Sequence, residues 1–188
     1  MSIVSKITSA LLLTGSLLMA TEYKVDNAHT NVGFTVKHMM ITNVNGNFKT
    51  YDANIDYDEA TKTFKKFSAT VDTKTVDTGI EKRDDHLRSD DFFASEKFPK
   101  MTFEMTSYKP DGNDGKMTGN LTIRGVTKTV TLEVEDIASM GNKIGFVLEG
   151  KINRTDFGLK WNKTIELGGV AVGEEVKIKV DVEAEKNS

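Results

Sequence analysis

The sequence predicts an all-β protein, an antiparallel barrel of eight strands with one short helical insertion. Three observations carry this. Apolar and polar residues alternate at period two along most of the chain, the pattern of strands with one buried face. Gly, Asn and Asp gather between the alternating runs, where hairpins turn. One stretch in mid-chain, residues 77–93, breaks the alternation and reads as helical.

Residues 1–20 read as an export signal. Lys6 supplies a positive flank, and Ile7 to Leu18 is uncharged. At about a dozen residues this run suits a signal-peptide core and is too short to span a bilayer. Cleavage is expected between Ala20 and Thr21, leaving residues 21–188 as one domain, periplasmic or secreted. The sequence holds no cysteine, which excludes disulfides, thiolate metal sites and a cysteine-linked lipid anchor.

The strands follow in order. Val32, Phe34 and Val36 alternate with Gly33, Thr35 and Lys37. Residues 46–57 supply a further extended run. Phe67, Ala69 and Val71 alternate with Ser68, Thr70 and Asp72, and Met101, Phe103 and Met105 with Thr102, Glu104 and Thr106. Met117, Gly119, Leu121 and Ile123 share one parity, as do Val130, Leu132 and Val134. Phe146, Leu148 and Ile152 form another inward set, and Val176 to Val182 alternates strictly with charged residues. Residues 109–115, Arg124-Gly125 and residues 140–143 are expected as turns, with Pro99 and Pro110 outside the strands. In the helical insertion Thr78 is the expected cap, Ile80 and Leu87 share a face, and Ser89-Asp90-Asp91 can start a second short turn carrying Phe92 and Phe93. A closed barrel leaves no open sheet edge, and at eight strands its interior can hold one small ligand; a two-sheet sandwich is the alternative.

Charge excludes one class of partner. There are 25 Lys+Arg against 28 Asp+Glu, a net charge of −3. The signs are interleaved with no basic stripe, so nucleic acid is not expected. Catalysis is not expected either: there is no Gly-x-Ser-x-Gly elbow, and no cysteine nucleophile; a periplasmic hydrolase or a metal-binding protein using the barrel as a scaffold is the alternative. The three histidines, His29, His38 and His86, lack helical ligand spacing, so no metal site is expected, and no cofactor.

Four motifs add to this reading: Asp26-Asn27-Ala28-His29-Thr30; Arg83-Asp84-Asp85-His86-Leu87 followed by Phe92-Phe93; the run Gly119 to Lys128; and Arg154-Thr155-Asp156-Phe157-Gly158. In this order they resemble the YceI family of exported bacterial lipocalin-like proteins, across essentially all of residues 21–188. Thr30 stands where the family usually has Ser, and the hydroxyl is kept. The resemblance implies an elongated barrel with a helix packed near it. It also implies an interior that binds a polyisoprenoid or a similar long-chain amphiphile, such as a polyprenyl quinone, fatty acid or fatty amide. Members are commonly homodimers, and transient membrane contact would fit such a ligand.

Parity then nominates the binding residues. Phe34, Val36, Phe67 and Ala69 are expected to face inward, together with Met101, Phe103, Leu121 and Ile123. Phe and Met give a wide, adaptable apolar lining. Leu87, Phe92 and Phe93 are expected to close or widen it from the helical side. His38, on the parity of Phe34 and Val36, is also expected inside. Arg83 and His86 are candidates for a phosphate or quinone oxygen; the alternative for Arg83 and Asp84 is to tie the helix to nearby backbone. His29 is expected to anchor a strand end or a subunit contact.

Overall fold

A computed structural model describes residues 21–164 and 169–187. Eleven antiparallel segments form one sheet that closes on itself. They are β1 (Thr21–Val25), β2 (Asn31–His38), β3 (Thr42–Phe48), β4 (Tyr51–Asp58), β5 (Thr63–Asp72), β6 (Val76–Asp77), β7 (Lys100–Asp111), β8 (Asp114–Ile123), β9 (Val126–Met140), β10 (Lys143–Asn153) and β11 (Val172–Lys186). The ring runs β1-β4-β5-β7-β8-β9-β10-β11, and β11 returns to β1. The first two strands of this eight-stranded barrel are each broken once. β11 pairs with β1 at Ala184 to Lys186 and with β2 between Val172 and Asp181. β1 pairs with β4, and β2 with β3. Closure removes the long sheet edge that an open meander would expose.

The alternation sets which face is inside. Met117, Val134, Ile144 and Ala184 have no exposed surface, and Tyr23, Ile55, Phe64 and Phe146 very little. These fill one end of the barrel. Phe64 sits at its centre, with the rings of Tyr57, Tyr108 and Phe146 at 4.7, 5.0 and 5.0 Å. Burial pushes the Tyr108 hydroxyl up to about 12.

Three β-bulges build this closed end. Between Asp56 and Tyr57 on β4 the register against β5 slips, between Met105 and Ser107 on β7 it slips against β8, and between Gly145 and Val147 on β10 it slips against β9. An extra residue in one strand reverses the side-chain parity beyond it. Phe67 points inward, and so does Phe64, three residues away. Val134 is followed inward by Ile137, and Met105 by Tyr108. Without the bulges Lys65, Ser107 and Asp136 would hold those places.

Two of the turns at this end are tight. Gly112 and Gly141, at φ 65° and 64°, open two-residue connections from β7 to β8 and from β9 to β10. The loop expected over residues 109–115 is thus shorter than its composition suggests, and Pro110 lies within β7, paired with Gly115. It is tolerated because β5 pairs with β7 only as far as Glu104, leaving the edge around Pro110 with no partner on that side.

The helix α1 (Glu81–Arg88) is shorter than the 77–93 expected. Its N-cap is Ile80, which makes no side-chain cap. Thr78 instead donates its backbone N–H to the buried Asp84 carboxylate at 2.9 Å. Beyond Ser89 the chain makes the expected second turn, which carries Phe92 and Phe93 back toward the helix. The Phe93 N–H reaches the Leu87 carbonyl at 2.9 Å. The expected leader, residues 1–20, lies outside the described residues.

Candidate functional site

At the end opposite the packed plug, the barrel wall surrounds an apolar cavity of about 200 Å³. The side-chain sequence along β11 shows how one end gives way to the other: Ala184 and Val182 belong to the plug, while Val180, Ile178, Val176 and Val172 line the cavity. On β2, paired with that stretch, Val32, Phe34 and Val36 line it too.

Most of the expected site residues meet here. Phe34 and Val36 on β2 face Phe67 and Ala69 on β5 across the space, and Met101, Phe103, Leu121 and Ile123 supply the wall from β7 and β8. Leu87 of α1, with Phe92 and Phe93 beyond it, covers one side. Two inward glycines make room for rings. A Cβ on Gly119 would lie 2.4 Å from the Phe103 ring, and one on Gly46 would lie 2.5 Å from the Phe34 ring.

Three expected site residues do not line the cavity. His38 is exposed, paired with Thr42 and Val172 at the rim, where no facing wall remains to bury it. Arg83 donates from Nε to the Thr78 hydroxyl at 2.7 Å and from its second terminal nitrogen to the Thr78 carbonyl at 2.8 Å. It ties the helix to the preceding loop. His86 Nε2 lies 2.8 Å from the Asp91 carboxylate, and the ring packs edge-on against Phe92 and Trp161, with centroids 5.0 and 4.7 Å away. It braces the helical cover from outside.

Other residues complete the wall. Phe48, Leu132, Leu148 and Ile152 line it, as do Phe157 and Leu159 from the segment after β10. The parity of Leu132, Leu148 and Ile152 had already marked them as inward. Phe157 ends a single 3-10 turn, Arg154–Phe157, and Leu159 follows it, a stretch too short for a period to flag them.

Arg154 is the one charged residue in the lining. It is 4% exposed and makes no ion pair among the described residues. Its Nε donates to the Gly173 carbonyl at 2.8 Å, and its terminal nitrogens donate to the carbonyls of Trp161 at 3.0 Å, Val172 at 3.1 Å and Leu159. Burial lowers the guanidinium's proton affinity, and Glu174 nearby partly opposes that. The side chain pins the 154–161 segment onto the start of β11, and so fixes the rim.

A second polar group lies where β1 breaks into β2. His29 Nδ1 is 2.8 Å from Asp26, and Lys143 Nζ is 2.6 Å from Glu183 and 3.6 Å from Asp26. The His29 hydrogen bond, then the Ala28 N–H, hold the Asp26 carboxyl below its ordinary range, and Asp26 raises His29 in turn. Asp26, His29 and Glu183 could together reach a metal ion, but the Lys143 ammonium already stands between the two carboxylates. The Thr30 hydroxyl donates to the Glu183 carbonyl at 3.1 Å and accepts its N–H at 3.0 Å. The cluster fastens the strand break to β11.

A closed antiparallel barrel, packed at one end and hollow and apolar at the other, with a helical cover, is a lipocalin-like barrel. A family model described as the YceI-like domain matches residues 23–184. The YceI protein of Salmonella newport is 40% identical over 182 residues, covering 93% of this chain and 92% of the relative. The solved structure of the Campylobacter jejuni YCEI protein is 44% identical with a TM-score of 0.72, covering 88% of this chain and 98% of that one. The chain belongs to the YceI family. A polyisoprenoid binding domain from Saccharophagus degradans, 14% identical, shares the fold with a TM-score of 0.65 over 89% of this chain and 99% of its own.

Proposed function

We propose that this protein is an exported carrier that holds a polyisoprenoid or similar long-chain amphiphile in the open half of its barrel and does no chemistry on it. The observation that carries the reading is the apolar cavity of about 200 Å³ inside a closed barrel. Small-ligand pockets commonly run to roughly 300–1,000 Å³. The space therefore takes one segment of a chain as it stands, and a longer tail requires the half-buried rings of Phe34 and Phe93 and the flexible Met101 to move. The polyisoprenoid binding domain from Saccharophagus degradans, built on the same fold, supports this class of ligand.

The energetics favour reversible loading. Burying a CH₂ from water is worth about 0.8 kcal/mol. A prenyl tail drawn from a membrane leaves hydrocarbon for hydrocarbon, so that gain largely cancels. Fit and head-group contacts then set affinity. The apolar wall offers no paired acid, base or nucleophile, which is why binding rather than turnover is proposed. Release to the periplasm and assembly as a homodimer complete the proposal.

Mass spectrometry of an organic extract of the purified protein tests it. The expected result is a stoichiometric long-chain lipid that is lost on Phe103→Asp, because an unpaired carboxylate in an apolar wall is strongly disfavoured. An extract without lipid, from protein purified out of its native host, would overturn it.

A further inference from the structure

We propose that the β2–β3 hairpin tip is a membrane-docking surface: Met39, Met40 and Ile41, flanked by Lys37 and Lys163, enter an anionic phospholipid bilayer and set the open end of the cavity upon it. The proposal rests on the carrier reading above and names the surface through which the carrier would load.

The tip is unusual for a hairpin. Three consecutive large apolar residues are 39%, 63% and 82% exposed. Met39 and Met40 also hold positive φ, 52° and 63°. Residues with a Cβ resist that region, and Gly or Asn normally fills it. Turn chemistry and solvation both favour small polar residues here, so neither accounts for the side chains present. At the packed end two hairpins carry Gly112-Asn113 and Gly141-Asn142 at their tips, and the third, which also places a residue with a Cβ at positive φ (Lys62, 50°), uses the polar-tipped Glu59-Ala60-Thr61-Lys62 with no large apolar side chain.

Position and charge select the occupant. The cavity lining extends along β2 to Val36 and along β11 to Val172, and the next residues of β2 lead into the tip. The Met39 N–H donates to the Ala171 carbonyl at 2.9 Å, and the Ala171 N–H donates to the Lys163 carbonyl at 2.9 Å. One continuous ledge results, carrying Met39 to Ile41, the 40%-exposed Val170, and the exposed Lys163. Lys37, also exposed, has its Cβ within 3.1 Å of the site a Gly173 side chain would occupy, beside the same ledge. Neither lysine makes an ion pair among the described residues. Apolar side chains that insert, ringed by ammonium groups that meet phosphate, suit the surface of an anionic bilayer. Of the acids that follow Gly173, Glu175 pairs with Lys151 at 3.4 Å and Glu174 accepts from the Asn153 amide at 3.3 Å, so Lys37 and Lys163 are the charges this ledge leaves without a partner among the described residues.

Vesicle flotation tests the surface. Vesicles rich in phosphatidylglycerol and vesicles of phosphatidylcholine alone serve as probes. The wild type is expected to float with the anionic vesicles. The double variant Met40→Asn, Ile41→Ser should float about tenfold less or lower still, from the apolar area it withholds, while its melting temperature stays level or rises, since Asn suits positive φ. Lys37→Ser with Lys163→Ser should erase the preference for anionic over neutral vesicles. Equal flotation of wild type and variants overturns the proposal. So does a wild type that ignores vesicles, including the case where the tip variant converts a dimer to a monomer, which would assign the tip to a second copy of this chain. Organic extracts of the same samples separate the two claims. Vesicle binding without extracted lipid defeats the carrier reading and leaves the docking surface; extracted lipid without vesicle binding does the reverse.

Discussion

The two ends of the barrel are made from the same long strands, yet one is solid and the other hollow. At the solid end, three bulges rotate Phe64, Tyr108 and Ile137 into the interior, and the Phe64 ring meets four aromatic neighbours. At the hollow end β11 slips by two residues against β2 between Val172 and Val176, which leaves its side-chain parity unchanged, and Phe34, Met101 and Val176 remain only half-buried around a void. The ends also differ in how they are closed. Two two-residue glycine turns and the four-residue Glu59–Lys62 turn close the solid end. The other is bounded by a helix, an irregular segment held by Arg154, and an apolar hairpin tip. The comparison teaches that stability and binding are divided along one axis: the plug supplies the packing that holds the ring shut, so the other half can leave apolar surface unfilled.

Substitutions can break that division. Phe64→Ala should cost about 3–5 kcal/mol, since its ring is 2% exposed and enclosed by other rings, and it should leave bound lipid unchanged in any fraction that stays folded. Thermal melting with an extract of the folded fraction checks this. Arg154→Met should cost about 3 kcal/mol, because it leaves the buried Leu159 carbonyl and the part-buried carbonyls of Gly173 and Val172 without their charged donor. It should also loosen the rim, read as faster hydrogen exchange at the start of β11. Phe34→Ala should cost only about 1 kcal/mol, as the ring already borders the void, while shifting the length of the chain retained. If Phe34→Ala and Phe64→Ala destabilise equally, the hollow end is an ordinary core.

The smallest effect concerns the break between β1 and β2. Asp26 raises His29, so this contact stabilises the fold fully below the ordinary histidine value and is lost as pH rises through the folded value. Asp26 is lowered, so its share is present above the ordinary carboxylate value and lost as pH falls through the folded one. The difference in melting temperature between wild type and His29→Ala should therefore be greatest in mildly acidic buffer, above the carboxylate range and below about 6.5. It should shrink toward alkaline pH. A difference that grows with pH would reverse the assignment.

Much of this was legible before the structure. Period-two alternation identified the barrel strands and placed Phe34, Phe67, Phe103 and Ile123 on the face that lines the cavity, because a strand fixes side-chain direction through its own geometry. Parity failed where that geometry changes. Beyond a bulge it reverses, which hid Phe64, Tyr108 and Ile137. At His38 it continues, but the strand has passed the rim and no opposing wall remains. The helical stretch expected over 77–93 is longer than α1 because Thr78 is held by the Asp84 carboxylate and not by helical bonds, while the chain from Ser89 turns on backbone bonds set by tertiary packing, with Ala94 at φ 49°. Arg154 stood in a motif whose pattern marks it, but only the fold shows that its partners are carbonyls of β11 and of residues 159 and 161.

The claim that the hollow end holds an apolar chain is tested most directly by crystals of the protein loaded with a polyprenol brominated at its far end. The bromine's anomalous signal is predicted inside the barrel, bordered by Phe67, Phe103 and Leu148, above the Phe64 plug. Saturating ligand that leaves this space without signal, or places the bromine only on the outer surface, would contradict the account.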